Sequence, residues 1–555
     1  MSARILTLLA LMPSAVAAQG RERPPDLIVL NARIHTANLD QPTAQALAVR
    51  NGRFLVVGTN LEVEAAAGLG TERLEAAGAT ILPGMIDAHA HLLNLGRLFR
   101  IVNLGETTSY EEVIALVRAR ADEVAPGTWI RGRGWDQNDW PGGDFPNHEA
   151  LSRAVPDHPV YLDRVDGHAA LVNQMAIVAA RLDFMDANPA GGRILRNPDG
   201  TPTGVLIDNA TLLVDSIIPA PSMGELTAQL LAAMAEANRW GLTGMHDAGV
   251  GIDTITFYRE LAAEGRFTLR NYVMVEAGSP GLLGFLDRGP QSGLYGEILW
   301  TRAIKISSDG AMGSRGAALL HGYTDDPDNE GLLLASHDSI LTIARLALER
   351  GFQVNVHAIG DRANRTALDA FEVALRERPT PDHRFRIEHA QVLAEEDIPR
   401  FAELGVIPSM QGSHQTSDMY WALDRLGRRR AQGAYAWHSL RETGVIIPNG
   451  SDTPIESANP LISFRAFFTR RDAEGWPEGG WFPEQRISRE EALLSITLWP
   501  AQAAFMEKEV GSIAVGKLAD FVILDTDIMT VPEDQVLSTR VLRTVLGGRT
   551  VYPVP

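Results

Sequence analysis

Residues 81–91 read Ile-Leu-Pro-Gly-Met-Ile-Asp-Ala-His-Ala-His. The segment starts apolar and ends polar, which is typical of a buried strand that terminates at a functional edge. Side chains alternate along a strand, so His89 and His91 lie on the same face. The stretch therefore predicts a strand whose end presents two imidazoles.

Seven later runs of apolar or β-branched residues end in the same way, and helical patterns such as 226–240 and 339–350 lie between them. The runs are Leu242–Gly249, Leu269–Glu276, Ala303–Gly310, Gln353–Gly360, Arg384–Gln391, Val406–Gln411 and Val445–Asp452. Eight parallel strands with crossover helices predict an α/β fold, a (β/α)8 TIM barrel, over residues 81–504. About 150 residues separate the first two strands, far beyond an ordinary loop, so a large insertion is expected at about 97–220.

Both ends of the chain are rich in short β-like segments separated by turn residues such as Asn51-Gly52. This texture predicts strands joined by hairpins. Residues 26–80 and 505–555 are expected to form one small β-sandwich domain, although two separate β units would give the same pattern.

Residues 1–18 combine an early arginine, a short apolar run and a stretch of small residues. This pattern is typical of a secretory signal peptide, and we expect cleavage after Ala17 or Ala18. The alternative is a buried N-terminal helix. An exported protein, periplasmic or secreted, is therefore expected, and no later stretch has the roughly 18 uninterrupted apolar residues of a membrane span.

Composition excludes several kinds of chemistry. Among 555 residues, 50 are basic and 69 acidic, for a net charge of −19, and cysteine is absent. An acidic chain without a basic stripe is not typical of nucleic-acid binding. Disulfides, thiolate metal sites, iron–sulfur clusters and a cysteine nucleophile are excluded.

The ends of the predicted barrel strands carry one set of potential metal ligands. The set is His89, His91, Lys305, His357, His389 and Asp452. Barrel strands end at one face, where active sites lie, so these side chains are expected to converge. Imidazole and carboxylate ligands suit zinc or a similar divalent ion. Taken singly, each residue also has an ordinary structural reading; the prediction depends on the set.

Several motifs within and beyond these strands form a recognisable series. Besides 83–91, they are 357–363 (His-Ala-Ile-Gly-Asp-Arg-Ala), 386–391 (Arg-Ile-Glu-His-Ala-Gln), Lys305 with Asp309-Gly310, Ser451-Asp452, and 511–521 near the end. Together they resemble the amidohydrolase superfamily, and within it the third amidohydrolase family, the branch of N-substituted formamide deformylase. The resemblance runs from about residue 27 to 551.

The resemblance implies a metal centre with a defined role for each ligand. His89 and His91 would bind a first divalent ion, and His357 and His389 a second. Lys305 would bridge the two as N6-carboxylysine, and without carboxylation a single-metal site is expected. Asp452 would contact the first ion and act as general base.

The expected activity is hydrolysis of a non-peptide C–N bond in an amide-type small molecule, by attack of metal-bound hydroxide. An esterase, lactonase or carbamate hydrolase would use the same site, because the same nucleophile attacks those carbonyls. A non-catalytic periplasmic binding protein is the alternative outside enzymes.

Six further residues are candidate substrate contacts. They are Trp135 and His168 in the insertion, His246 at the end of the second strand, Arg315 in a loop, and Gln411 and His414 after the seventh strand. Trp135 could instead be a packing residue of the insertion, and Arg315 a solvated residue of its loop. The expected partners are a small-molecule substrate and, in a homodimer, a second copy of the chain.

Overall fold

The computed structural model describes residues 23–105, 107–164, 169–185, 187–189, 192–313 and 315–554. The predicted signal peptide and His168 lie outside the described residues. Within those ranges, no helix is both long and apolar enough to cross a bilayer.

A parallel barrel forms the centre of the molecule, as predicted. Its regular strands pair in chain order and are Met85–Ala90, Leu242–Val250, Arg270–Glu276, Leu299–Ser307, Gln353–Ala358, Arg386–His389 and Ile407–Ser409. The predicted eighth strand, Val445–Asp452, is not a regular strand. Pro448 has no N–H to donate, and only Asn449 bridges to Met410. The carbonyl of Asn449 also accepts from Ala88 N (3.1 Å), which links the eighth segment to the first strand.

Helices surround the barrel and cover its outer surface. They are Leu92–Leu98, Met223–Arg239, Ile252–Ala263, Leu282–Leu286, His337–Arg350, Asp361–Glu377, Ile398–Leu404, Gly412–Asp418, Ala422–Ala431, Trp437–Glu442, Pro460–Thr469, Arg489–Ser495 and Leu498–Ala503. The helix before the second strand begins with a capping box, in which Ser222 and Glu225 each accept the other's backbone N–H. Its inner face buries Leu230, Ala233 and Met234 in the main core.

The predicted sandwich is built from both chain ends. One sheet contains Arg53–Gly58, Ala46–Arg50, Leu27–Leu30 and Glu72–Glu75; the other contains Arg549–Tyr552, Val541–Leu546, Phe521–Leu524, Thr80–Pro83, Arg33–His35 and Thr43–Ala44. Val29 and Leu47 of the first sheet share a core with Ile81 and Phe521 of the second. The two ends therefore fold together rather than as separate units.

The predicted first strand, Ile81–His91, divides at Gly84. Thr80–Pro83 pairs with Phe521–Leu524 in the sandwich, and Met85–Ala90 begins the barrel. A Cβ atom at Gly84 would lie 2.1 Å from Oγ1 of Thr243, so only glycine fits where the chain passes between domains. This single stretch thus connects the sandwich to the metal-ligand edge.

The insertion after the first strand forms its own six-stranded sheet. In sheet order the strands are Gly192–Arg196, Pro202–Asp208, Ala169–Val172, Val160–Arg164, Ile130–Trp135 and Val102–Asn103, and its main helices are Tyr110–Ala121, His148–Ala154 and Gln174–Ala179. Two apolar clusters of its own stabilise this sheet, so the insertion is a separate layer beside the barrel.

Candidate metal centre

The strand-end residues converge at one edge of the barrel. The ring centroids of His89 and His389 lie 4.8 Å apart, and those of His357 and His389 lie 4.5 Å apart. Within the described chain, His89, His389 and Asp452 are buried and each offers one ligand atom, all within 4.8 Å of one another. These three residues are a candidate metal site.

The backbone around this site is held by Asp87 in the first strand. Its carboxylate accepts the backbone N–H of His89 (3.1 Å) and of Ser451 (3.0 Å), and the Ser451 hydroxyl (2.5 Å). Burial raises the pKa of Asp87 to about 6. Asp452 itself has a φ of 59°, a left-handed conformation that non-glycine residues rarely adopt. The eighth segment is thus fixed against the first strand in a strained geometry of the kind found at functional sites.

A buried ion pair orients the imidazole of His89. Its Nδ1 lies 2.6 Å from a carboxylate oxygen of Glu388, and Arg386 Nε lies 2.8 Å from the other oxygen. Burial would raise the pKa of Glu388, but the neighbouring Arg386 and His89 outweigh it and lower that pKa. Nδ1–H therefore donates to Glu388, and the Nε2 lone pair is left for a ligand. Carboxylate partners of this kind are usual for metal-binding histidines.

His389 is oriented by a neutral partner. Its Nδ1 lies 2.8 Å from Oε1 of Gln411, so the amide oxygen accepts and Nε2 remains available. Burial and the neighbouring His357 lower the pKa of His389. Burial, together with the charge of Lys305, lowers the pKa of His89 to about 4 and that of His357 to about 3. These imidazoles are neutral at pH 7, the form that binds metal.

Asp452 lies among three imidazoles. Its Oδ1 is 3.2 Å from His91 Nε2 and 3.6 Å from His89 Nε2, and its Oδ2 is 3.7 Å from His414 Nε2. Burial opposes ionisation, but His91 and His89 outweigh it and hold the pKa of Asp452 well below its usual value. The carboxylate is ionised at neutral pH. Burial of the His91 ring lowers its pKa, but the neighbouring Asp452 outweighs this effect, so the pKa of His91 is raised.

Lys305 is buried beside the same histidines, with Nζ 3.5 Å from His89 Nε2. Burial lowers its pKa. A bare ammonium group at this distance would repel a cation. The lysine therefore fits a metal centre only in an uncharged or anionic form.

The fifth strand brings His357 to the site. Its Nε2 is buried without a hydrogen-bond partner among the described residues, as is Nε2 of His414. Asp309 lies 3.5 Å from His357 Nε2 and accepts the backbone N–H groups of Ile359 and Gly360 (3.0 and 2.8 Å). Buried imidazole nitrogens without partners usually indicate an ion or water that completes them. The donor set thus fits a divalent metal.

The candidate site opens into a cavity of about 470 Å³. Its wall includes the site residues together with Met312, Trp421, Ile455, Asp418 and Glu456. This volume is in the usual range for small-molecule sites, which supports the expectation of a small substrate.

Three predicted substrate contacts lie at or beneath the metal ligands. His414 lines the cavity, and its ring stacks with that of His389 at 5.8 Å. Gln411 holds His389 in place. His246 is fully buried below the site, where its Nδ1 is 3.0 Å from Arg386 Nη1, so it supports the ion pair that orients His89.

The structure places the other predicted contacts elsewhere. Trp135 is fully buried in the core of the insertion, where it packs against other side chains and has no surface left for a substrate. Its indole N–H donates to the Leu162 carbonyl (2.8 Å). Arg315 forms an ion pair with Asp325 (2.9 Å). Neither belongs to the described lining of the metal cavity. His168 is outside the described residues.

Sequence reasoning assigned no role to Glu388 and Arg386. Both belong to the motif 386–391, and because side chains alternate along a strand, positions 386 and 388 share one face. Trp421 and Asp418, on the cavity wall, follow the seventh strand without a motif that marks them.

Comparisons with known proteins agree with this geometry. The model of a family described as "Amidohydrolase family" matches residues 73–552. Protein LONG AFTER FAR-RED 3 of Arabidopsis thaliana is 34% identical over 540 residues, covering 95% of this chain and 92% of the relative. N-substituted formamide deformylase of Arthrobacter pascens is 28% identical over 539 residues, covering 94% and 97%.

A solved structure, of an uncharacterized metal-dependent hydrolase from Pyrococcus furiosus, superposes with a TM-score of 0.76. Its sequence identity is 29%, and the match covers 91% of this chain and 100% of that one. The barrel, the strand-end ligands and the family match over most of the sequence lead to one conclusion: the chain belongs to the amidohydrolase family.

Proposed function

We propose that this protein is a metal-dependent hydrolase of amide-type, non-peptide C–N bonds in small molecules. The observation that carries the proposal is the position of an ionised Asp452, within 3.7 Å of three imidazoles, next to the candidate metal site and on the wall of the cavity. The 28% identity to an N-substituted formamide deformylase supports an amide-type substrate.

His89, His91, His357, His389 and Asp452 are the residues that would hold the metal. A bound divalent ion lowers the pKa of a coordinated water to about 7 and polarises a carbonyl oxygen. Glu388 and Gln411 keep the available imidazole nitrogens aimed at the site. Zinc suits this nitrogen and oxygen ligand set, and one or two ions are compatible with the number of ligands.

Asp452 has the position and charge of a general base. Because its pKa is lowered, Asp452 is ionised at neutral pH and can accept a proton from the attacking water and return it to the leaving nitrogen. His414 lines the cavity, and its Nε2 has no hydrogen-bond partner among the described residues, so it is placed to donate a hydrogen bond to a substrate oxygen when Nε2 carries its proton.

We further propose that Lys305 is carboxylated. Burial lowers its pKa and so favours the neutral amine, whose nitrogen forms a bond to carbon dioxide with release of one proton. The resulting carbamate would replace a repulsive ammonium with an anionic ligand. Carbon-13 NMR of protein equilibrated with labelled bicarbonate should show one carbamate signal that Lys305→Ala abolishes.

The test of the proposed activity is a set of paired substrates. N-substituted formamides and the matched formate esters should be assayed with metal-loaded protein, and Asp452→Asn should lower kcat for the amides by about 10²–10⁴-fold. If every ester were turned over faster than its matched amide, the protein would be an esterase and the proposed amide specificity would be wrong. Full activity in Asp452→Asn, or no turnover of either series, would contradict it.

A further inference from the structure

A second cavity, of about 490 Å³, lies between the insertion and the outer wall of the barrel. The insertion contributes Arg120, Trp129 and Arg131 to it, and the barrel side contributes Arg97 on the helix Leu92–Leu98 and Arg100 just beyond it. None of the residues that line it also lines the metal cavity. It is therefore a separate site.

The charge of this cavity is opposite to that of the chain. Four arginines line it against two carboxylates, Asp215 and Glu225, whereas the whole protein carries a net charge of −19. Arg131 is paired with Asp215 (2.8 Å), and Arg120 with Glu123 (2.7 Å).

Two of the arginines form no direct ion pair among the described residues. Arg97 and Arg100 have no carboxylate within ion-pair distance in the described ranges, although both border the cavity. Burial and the neighbouring charge of Arg131 lower the pKa of Arg97, and the attraction of Asp215 and Asp163 does not offset this effect. Arg97 and Arg100 are exposed. Like charges close to one another are unfavourable, and a bound anion would relieve that repulsion.

Besides polar residues such as Asn94, Thr128 and Gln229, the wall has an apolar part. Leu93, Trp129, Ile218 and Leu226 are partly buried side chains that face the same space. Small-molecule sites of 300–1,000 Å³ usually combine an apolar wall with a few charged groups that fix orientation. Guanidinium groups bind carboxylates and phosphates with two parallel hydrogen bonds.

We propose that this cavity binds a small organic anion, with a carboxylate or phosphate-type head on Arg97 and Arg100 and an apolar body against Trp129 and Leu226. Such a ligand would contact the barrel side through Arg97, Arg100 and Leu226, and the insertion through Trp129. The site is independent of the hydrolytic activity proposed above.

Calorimetric titration of the metal-loaded protein tests the proposal with four probes. Phenylphosphonate and phenylacetate carry the two head groups, 2-phenylethanol is the neutral match, and inorganic phosphate has no apolar body. We expect saturable binding of at least one of the two aromatic anions, and at least tenfold weaker binding of 2-phenylethanol and of phosphate. Binding of neither aromatic anion, or equal affinity for 2-phenylethanol or phosphate, would overturn the assignment.

Variants locate the site. The double variant Arg97→Ala/Arg100→Ala should bind the aromatic anion at least tenfold more weakly, while Arg118→Ala, on the same helix as Arg120 but outside the cavity lining, should bind it as the unchanged protein does. An anion held by the metal centre would bind all three proteins equally, which would overturn the proposal. An unchanged unfolding midpoint of the double variant excludes loss of the fold as the cause.

Discussion

Replacing Glu388 by glutamine should weaken metal binding without removing any metal ligand. Glutamine keeps the volume of the side chain but not its charge, and Glu388 touches both His89 Nδ1 (2.6 Å) and Arg386 Nε (2.8 Å). A glutamine oxygen can still accept the Nδ1–H of His89, as Gln411 does for His389, but the negative charge that raises the basicity of His89 is lost. Such a loss typically lowers metal affinity by about 10–100-fold.

The same substitution should also destabilise the fold. Arg386 is completely buried, and in the described chain Glu388 is the carboxylate that balances its charge. Breaking a buried pair by removing one partner costs about 3–5 kcal/mol of unfolding free energy. The remaining contacts of Arg386, to the Ala88 carbonyl and Ser409, do not replace a negative charge.

Metal affinity should be measured by competition with a chelator, and stability by urea unfolding of the metal-free protein. Glu330→Gln is the matched control, because it removes the partner of Arg362 in an exposed ion pair. That control should change stability by about 1 kcal/mol or less and leave metal affinity unchanged. If folded Glu388→Gln bound metal as tightly as the unchanged protein, the role of Glu388 in supporting His89 as a metal ligand would be refuted.

Three further predictions concern the site and the chain start. In Gly450→Ala the new Cβ would lie 2.4 Å from the backbone nitrogen of His89, so we expect a stability loss of about 1–3 kcal/mol and weaker metal binding; Gly284→Ala, where nothing lies within 4 Å, should cause neither. A pH titration of metal-free protein with carbon-13-labelled histidine should distinguish two of the histidines. His89, whose pKa is lowered to about 4, should remain neutral as the pH falls from 8 to 5.5, whereas His91, whose pKa is raised, should gain its proton above pH 6.5. A His89 titration near pH 6.5 would contradict the burial argument. N-terminal sequencing of protein expressed with export should begin after residue 17 or 18, and an intact Met1 would refute the signal peptide.

The convergence of the metal ligands could be predicted from sequence because it follows from chain direction. Parallel strands end at one edge, so the sequence predicts that His89, Lys305, His357 and His389 lie together. Asp452 also reaches the site, although Pro448 prevents the regular strand that was expected to carry it. The backbone N–H and the hydroxyl of Ser451 donate to the carboxylate of Asp87 and hold that segment instead.

The surroundings of the ligands could not be predicted in the same way. Whether Trp135 faces a cavity or a core depends on how the sheet of the insertion packs, and no local pattern encodes that packing. Arg315 finds Asp325 only ten residues away, a pairing of loop residues that periodicity does not reveal. The hydrogen bond between Gln411 and His389, from the neighbouring strand, is likewise not encoded in any local pattern.

The central claim is that these strand ends form a metal centre, and elemental analysis of the purified protein tests it most directly. The unchanged protein should contain at least one divalent ion per chain, and the ion should be lost when His89 and His389 are both replaced by alanine in a chain that remains folded. Hydrolytic activity in protein shown to be free of metal, or full metal content in the double variant, would contradict the account.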